Sequence, residues 1–182
     1  MLKDLIIRNR SRRRFYQEPV ERETLRELVD LARLSASGGN RQALKYIIVN
    51  DKATNDKIFP MIALAGAPPA SEAPTAYIVI LGDKDISQSF GCDHGIAAQS
   101  ILLGATEKGL GGCMVGLVDR KKLRRLLEIP ERCEILLLLV LGKPKDTIAI
   151  DPLPETGDTQ GWWDEQNVRH VPKRSLDDII IR

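Results

Sequence analysis

The sequence predicts one domain of mixed helix and strand, with helices laid on both faces of a sheet. Three observations predict it. Apolar residues recur at helical spacing over 21–34, the stretch 135–141 is apolar without interruption, and helical and strand-like segments alternate along most of the chain with no internal repeat. With 182 residues, 43% hydrophobic and 29% charged, the chain is long enough to bury a full core and too apolar to stay disordered. Only 4% of residues are aromatic, so an aliphatic core is expected.

Residues 1–8 read as a short helix leading into an arginine-rich segment. Over 21–34, Leu25, Leu28, Val29 and Ala32 share one helical face, and the helix ends before the turn-forming Ser37-Gly38-Gly39-Asn40. Residues 46–49 suit a strand, 52–64 a helix, and 66–74, with three prolines, a loop. A second strand is expected over 76–81. Asp93 is expected to cap a helix that runs through Ile101 to Lys108 and stops at Gly109. That helix is apolar nearly all round and rich in glycine and alanine, which predicts burial, in its own subunit or against a second one. A strand over 112–118, a helix capped by Asp119 and reaching Glu128, and a strand over 134–142 follow; the apolar content of the last places it centrally. Residues 143–170 are rich in Pro, Gly and Asp and contain Trp162-Trp163, while 176–181 is expected to close the chain as an edge strand. Its Ile179-Ile180-Ile181 needs a surface to bury against, either its own sheet or a partner's by strand exchange.

Several function classes fall away. No apolar run approaches the roughly 20 residues that span a bilayer, and the N-terminus lacks the apolar stretch and cleavage site of a signal peptide. Cys92, Cys113 and Cys133 are odd in number and form no CxxC pair, so no disulfide framework is expected and a reducing cytoplasm fits best. His94 and His170 lie far apart without ligand spacing, so no metal site is expected. Neither a nucleophile elbow nor a P-loop is present. The stretch 109–116 fails as a dinucleotide fingerprint, because Met114 stands where the third glycine belongs and the segment follows a helix.

The net charge of +2 is unevenly spread. Arg8, Arg10, Arg12, Arg13 and Arg14 crowd one segment, with Ser11 among them and Phe15-Tyr16 behind. A run of this kind is most simply a solvated basic face. It also suits an anion, because guanidinium groups form paired hydrogen bonds with phosphate oxygens and a serine hydroxyl adds a neutral contact. Lys173-Arg174, beside Ser175 near the other end, could join it on one phosphate. In Ser37-Gly38-Gly39-Asn40-Arg41-Gln42 the glycines allow close approach to a planar ligand and the two amides offer donors and acceptors. The plain reading of that loop is a helix C-cap. A nucleic-acid module using the arginine arm is the rival; it leaves the loop and Lys173-Arg174 unexplained and lacks interleaved aromatics.

The order of these features resembles the nitroreductase family. Its R-x-S-x-R-[RK]-F type segment matches Arg10 to Phe15, followed by Glu18-Pro19-Val20; its P-S-x-x-N-x-Q-P type loop matches Ala36 to Ala43. Its G-L-G turn matches Gly109 to Gly116, and a closing basic pair matches Lys173-Arg174. The resemblance implies an α+β fold with a central mixed β-sheet flanked by helices. It implies a homodimer with FMN at the interface and the C-terminal arm, 151–182, exchanged with the partner subunit. By the same resemblance Arg10, Ser11 and Arg13 hold phosphate, ribityl chain and pyrimidine edge, and Ser37, Gly38, Asn40 and Gln42 reach the flavin from the neighbouring subunit. Met114, Val115 and Gly116 lie along the isoalloxazine, and Lys173 and Arg174 clamp the phosphate. The implied activity is ping-pong hydride transfer from NAD(P)H, as NADH or NADPH, through flavin to a small-molecule acceptor such as a nitroaromatic or quinone. A dehalogenase-like or flavin-processing role is the alternative. No side chain stands out as a catalytic acid or base. The chain departs from the family pattern at Asn9, where many members carry a further arginine, and at Ala43-Leu44, which replace a Pro-aromatic pair.

Overall fold

Strand β5, Cys133–Pro144, is the spine of the first half of the structure. It pairs antiparallel with β3, Ala76–Asp83, with β4, Gly111–Val115, and with β1, Phe15–Tyr16; β2, Leu44–Val49, lies on the other edge of β3. A computed structural model describes residues 1–182 and divides them into two compact units, Met1–Pro144 and Lys145–Arg182.

In the first unit the two-residue period of β3 feeds two cores. Tyr77, Val79 and Leu81 pack with Ile58 of α3, Lys52–Ile58, and Leu123 of α5, Arg120–Leu126. Ala76, Ile78 and Ile80 face Leu25 and Leu28 of α2, Arg22–Leu34, and Ile101 of α4, Asp93–Glu107. Helices therefore cover both faces. Along β5 the parity of the side chains changes once. Ile80 is opposite Leu137 but Leu81 is opposite Ile135, so Leu136 is an extra residue in the ladder. The irregularity puts Cys133 and Ile135 in the same core as Leu138 and Val140, which unbroken alternation would not do.

The helix expected over 52–64 is shorter. α3 starts where the Asp51 carboxylate accepts from the Thr54 N–H at 2.8 Å and ends at Ile58, with a 3₁₀ turn over Phe59–Met61. Pro60 has no N–H to return to Asp56, so the α-helical ladder stops there. Asp93 is not the cap of α4: Cys92 occupies that position and Asp93 is the first helical residue. The helix is buried as expected, with Ala97, Ala98, Ile101, Leu102 and Ala105 almost fully covered. A Cβ at Gly104 would strike Leu31, so that glycine sets how closely α2 and α4 pack. Asp119 does cap α5, accepting from the Lys122 N–H at 3.0 Å. The five-stranded sheet is antiparallel throughout, and a single parallel bridge joins Ser11 to Gly112.

The second unit holds strands in a stretch whose Pro-, Gly- and Asp-rich composition carries no clear strand signal. β6, Thr147–Pro152, runs parallel to β8, Val168–Lys173, and β7, Trp162–Trp163, pairs antiparallel with β8. The edge strand expected over 176–181 is absent. Residues Leu176–Ile179 form a short helix, α6, because Ser175 and Asp178 make a reciprocal capping box: Ser175 Oγ accepts from the Asp178 N–H, and the Asp178 carboxylate accepts from the Ser175 N–H. Helix α1 is Leu2–Arg8. No helix is long and apolar enough to cross a membrane.

Candidate functional site

The arginine segment is fixed along its backbone. Ser11 bridges to Gly112, and the Arg12 N–H donates to the Gly112 carbonyl at 2.9 Å. This crossing needs the two glycines of β4. A Cβ on Gly111 would lie 2.7 Å from Arg12 Cγ, and one on Gly112 would strike the Val140 carbonyl and sit 2.8 Å from Leu102. Three residues on, Phe15 is fully buried and anchors the end of the run.

The side chains on this backbone are not alike. Arg13 donates to the Ser11 carbonyl at 3.3 Å, and Arg14 pairs with Glu72 at 3.5 Å. Arg10 donates through a terminal nitrogen to the Ile6 carbonyl, but its Nε is buried without a hydrogen-bond partner. Burial, and then the charge of Arg12, lower the Arg10 pKa below its ordinary value. A buried guanidinium donor with no acceptor is costly unless an acceptor arrives.

The loop from Ser37 to Gln42 is wound tightly on itself. The Gln42 N–H donates to Ser37 Oγ at 3.2 Å and the Gln42 amide to Asn40 Oδ1 at 3.3 Å. Gly39, Asn40 and Gln42 all have left-handed backbones, with φ of 59°, 52° and 52°. At Gln42 that conformation is unusual for its residue type. The loop is tied to α4 by the Gly38 N–H, which donates to Asp93 Oδ1 at 2.9 Å. Ser37, Gln42, Tyr46 and Asp93 line a cavity of about 130 Å³. Burial, followed by the Asp93 charge, pushes the Tyr46 hydroxyl up to about 12.

The remaining predicted residues fall in distinct settings. At the end of β4 Met114 is exposed and Val115 turns its side chain into a core, and Gly116, just past the strand, has open space around it. Val115 can therefore meet a ligand only through its backbone. Lys173 and Arg174 belong to the second unit, where they are exposed and border a cleft with Asp151, Leu153 and Asp178. The arginine segment and the loop do not meet on one chain's α4. Gly112 packs at Leu102 and Gly38 at Asp93, so their anchor points are two and a half turns apart, roughly 13 Å along the helix.

One cluster went unread in the sequence. His170 on β8 places Nδ1 2.6 Å from Asp151 and Nε2 3.2 Å from Asp164, and its ring stacks on Trp162 with centroids 4.0 Å apart. The β6–β8 register brings Asp151 to His170, and the β7–β8 register sets Trp162 opposite it with Asp164 just beyond; none of these strands is marked in the sequence.

Comparison with known proteins shows the family. The model of the nitroreductase family matches residues 6–73 and 63–143. A protein of Methanothermobacter thermautotrophicus, provisionally named NADH dehydrogenase/NAD(P)H nitroreductase, is 31% identical over 144 residues, 75% of this chain and 74% of its own. An FMN reductase [NAD(P)H] of Bacillus subtilis is 28% identical over 171 residues, covering 81% of this chain and 68% of its own. Among solved structures, a nitroreductase family protein from Streptococcus pneumoniae superposes with a TM-score of 0.78 over the full length of both chains at 16% identity, a likeness of fold. The family match spans both the arginine segment and the loop that α4 holds, and the chain is a member of the nitroreductase family.

Proposed function

We propose that this chain is an FMN-dependent oxidoreductase that takes reducing equivalents from NAD(P)H and passes them to a small organic acceptor such as a nitroaromatic or quinone. The observation that carries the reading is Arg10 Nε, a buried guanidinium donor without an acceptor on a backbone locked to β4. An anionic oxygen of a phosphate or of a flavin pyrimidine edge is the chemistry that satisfies it. The names of the relatives, an NAD(P)H nitroreductase and an FMN reductase, point the same way.

In this reading Arg10, Ser11 and Arg13 form one half of the flavin site, with the backbone at Met114, Val115 and Gly116 beside them. Ser37, Gly38, Asn40 and Gln42 form the other half on the neighbouring subunit of a homodimer. The roughly 13 Å along α4 between the two anchor points supports that division. Lys173 and Arg174 close on the phosphate from the second unit, which acts as an arm exchanged between subunits. Bound flavin supplies the hydride chemistry. The chain's own part is to orient the cofactor, to keep positive charge at the pyrimidine edge and to leave one face open for donor and acceptor in turn. The protein works in the cytoplasm.

The test is an absorbance spectrum of the purified protein with and without added FMN, followed by NADH and NADPH oxidation against nitroaromatics, quinones and halogenated phenols. Flavin bands and turnover with two-substrate ping-pong kinetics are expected. A protein that takes up no flavin would overturn the proposal. Turnover only with halogenated phenols would move it to the dehalogenase-like alternative.

A further inference from the structure

We infer that Asp93 is a positioning residue for the Ser37–Gln42 loop, acting on the flavin site through the Gly38 N–H; its effect on the cofactor rests on the flavin reading above. Asp93 is 8% exposed and opens α4, where the helix N-terminus favours a carboxylate. Capping of a helix's own amides falls to the residue before it, here Cys92, so the Asp93 side chain is free to point elsewhere. It reaches across to Gly38, 2.9 Å away and 55 residues earlier in the chain. The other hydrogen bonds of the loop are internal: Gln42 to Ser37 and to Asn40, Asn40 N–H to the Ser37 carbonyl, and Arg41 N–H to the Gly38 carbonyl.

These internal bonds hold the loop's shape but not its place. Left-handed backbones at Asn40 and Gln42 persist only where the surroundings over-determine them. The external tie is Asp93. Gln42 and Ser37 line the same small cavity as Asp93 and Tyr46, and the Asp93 carboxylate touches the loop at the Gly38 backbone. Losing its acceptor oxygen frees the loop to move as a unit while the core of α4 stays packed.

Three variants test this. Asp93→Ala removes the acceptor. Asp93→Asn keeps an acceptor oxygen of the same size without the charge. Gly38→Pro removes the donor where the backbone dihedrals suit proline, because Ser37 is already extended (φ −131°, ψ 150°) and Gly38 opens a helical turn. Its Cδ replaces the N–H and so also crowds Asp93 Oδ1, a clash that Asp93→Ala relieves in the double variant. Two readouts are needed: amide hydrogen exchange over residues 39–42 in the flavin-free protein, and the FMN dissociation constant from flavin fluorescence. Asp93→Ala and Gly38→Pro should each raise loop exchange and weaken FMN about tenfold or more, as expected for a lost hydrogen bond to a charged group. The double variant should do no more than either alone, and Asp93→Asn should restore most of both.

Unchanged loop exchange in Asp93→Ala would overturn the inference. So would additive effects in the double variant, or equal damage from Asn and Ala together with a lowered melting temperature, which would mark a purely structural buried charge. Raised exchange with unaltered FMN affinity overturns the link to the cofactor. If the wild-type protein takes up no FMN, the flavin reading fails, and exchange alone decides what Asp93 does to the loop.

Discussion

The backbone N–H of Arg12 donates to the carbonyl of Gly112 over 2.9 Å, and this bond fastens the basic N-terminal segment to strand β4. The glycine is there because no side chain fits. A Cβ would meet the Val140 carbonyl and Leu102 on the core side. Gly112→Ala should therefore destabilise the protein by about 1–3 kcal/mol in denaturant melts, as overpacking does, and weaken FMN as the arginine backbone is displaced. Gly116→Ala is the control. Nothing lies within 4 Å of its added methyl, so its melt should stay within about 0.5 kcal/mol of wild type.

Arg10 should separate binding from stability. Removing a charge-assisted hydrogen bond costs about 1.5–3 kcal/mol, so Arg10→Ala should weaken FMN by roughly 10- to 100-fold. The same change deletes the buried Nε that has no partner in the protein along with an exposed bond to the Ile6 carbonyl, so the flavin-free melt should stay within about 0.5 kcal/mol of wild type. A drop in melting temperature with unaltered FMN affinity would make Arg10 a structural residue. Replacing Lys173 and Arg174 together should likewise release FMN, and unchanged flavin occupancy would remove them from the site.

Much of the first unit was legible because its signals are local and strong. The face made by Leu25, Leu28 and Ala32 defines α2, and the apolar stretch of β5 predicts a strand covered on both sides. The boundaries that slipped have specific causes: Pro60 cut α3 short, and Asp93 left its helix to serve Gly38. That Gly111 and Gly112 serve a close crossing by Arg12 was not legible, because the crossing joins segments 100 residues apart. The strands of the second unit were illegible for another reason. β7 has two residues, and β6 and β8 are mostly half-buried at best, so neither shows clean alternation. At the C-terminus three consecutive isoleucines outweighed the Ser-x-x-Asp signature that starts a helix.

That signature gives a prediction of its own. Ser175→Ala removes one arm of the capping box, at a cost of about 0.5–2 kcal/mol to a capped helix. Helix α6 has four residues, all exposed, with no buried face to compensate. Faster amide exchange at Asp178 and Ile180 is expected, with no change in the melt of the first unit. Exchange equal to wild type would show that α6 is held by something other than its cap.

His170 makes the second unit sensitive to pH in two directions. Asp151 and Asp164 face its two ring nitrogens at 2.6 and 3.2 Å, and a carboxylate oxygen on each side favours the imidazolium, whose two N–H groups can both donate. The hydrogen bond to Asp164, then that to Asp151 and the two charges, raise its pKa above 6.5 despite partial desolvation. The stabilisation is full below 6.5 and is lost as pH rises through the raised folded value. Asp164 behaves oppositely. The Val168 N–H, chiefly, with His170 and the Gln166 N–H, holds its pKa below 3.8, so its contribution is present above 3.8 and is lost as pH falls through the lowered value. The second unit should be most tightly held between these two ordinary values and loosen on either side. Trp162 and Trp163 are the chain's two tryptophans and both lie in this unit, so intrinsic tryptophan fluorescence reports it alone. His170→Gln should abolish the alkaline transition in that signal and leave the acid one, because Asp164 keeps its bonds to the Val168 and Gln166 amides. An alkaline transition that survives the substitution would assign it to a group other than the imidazolium.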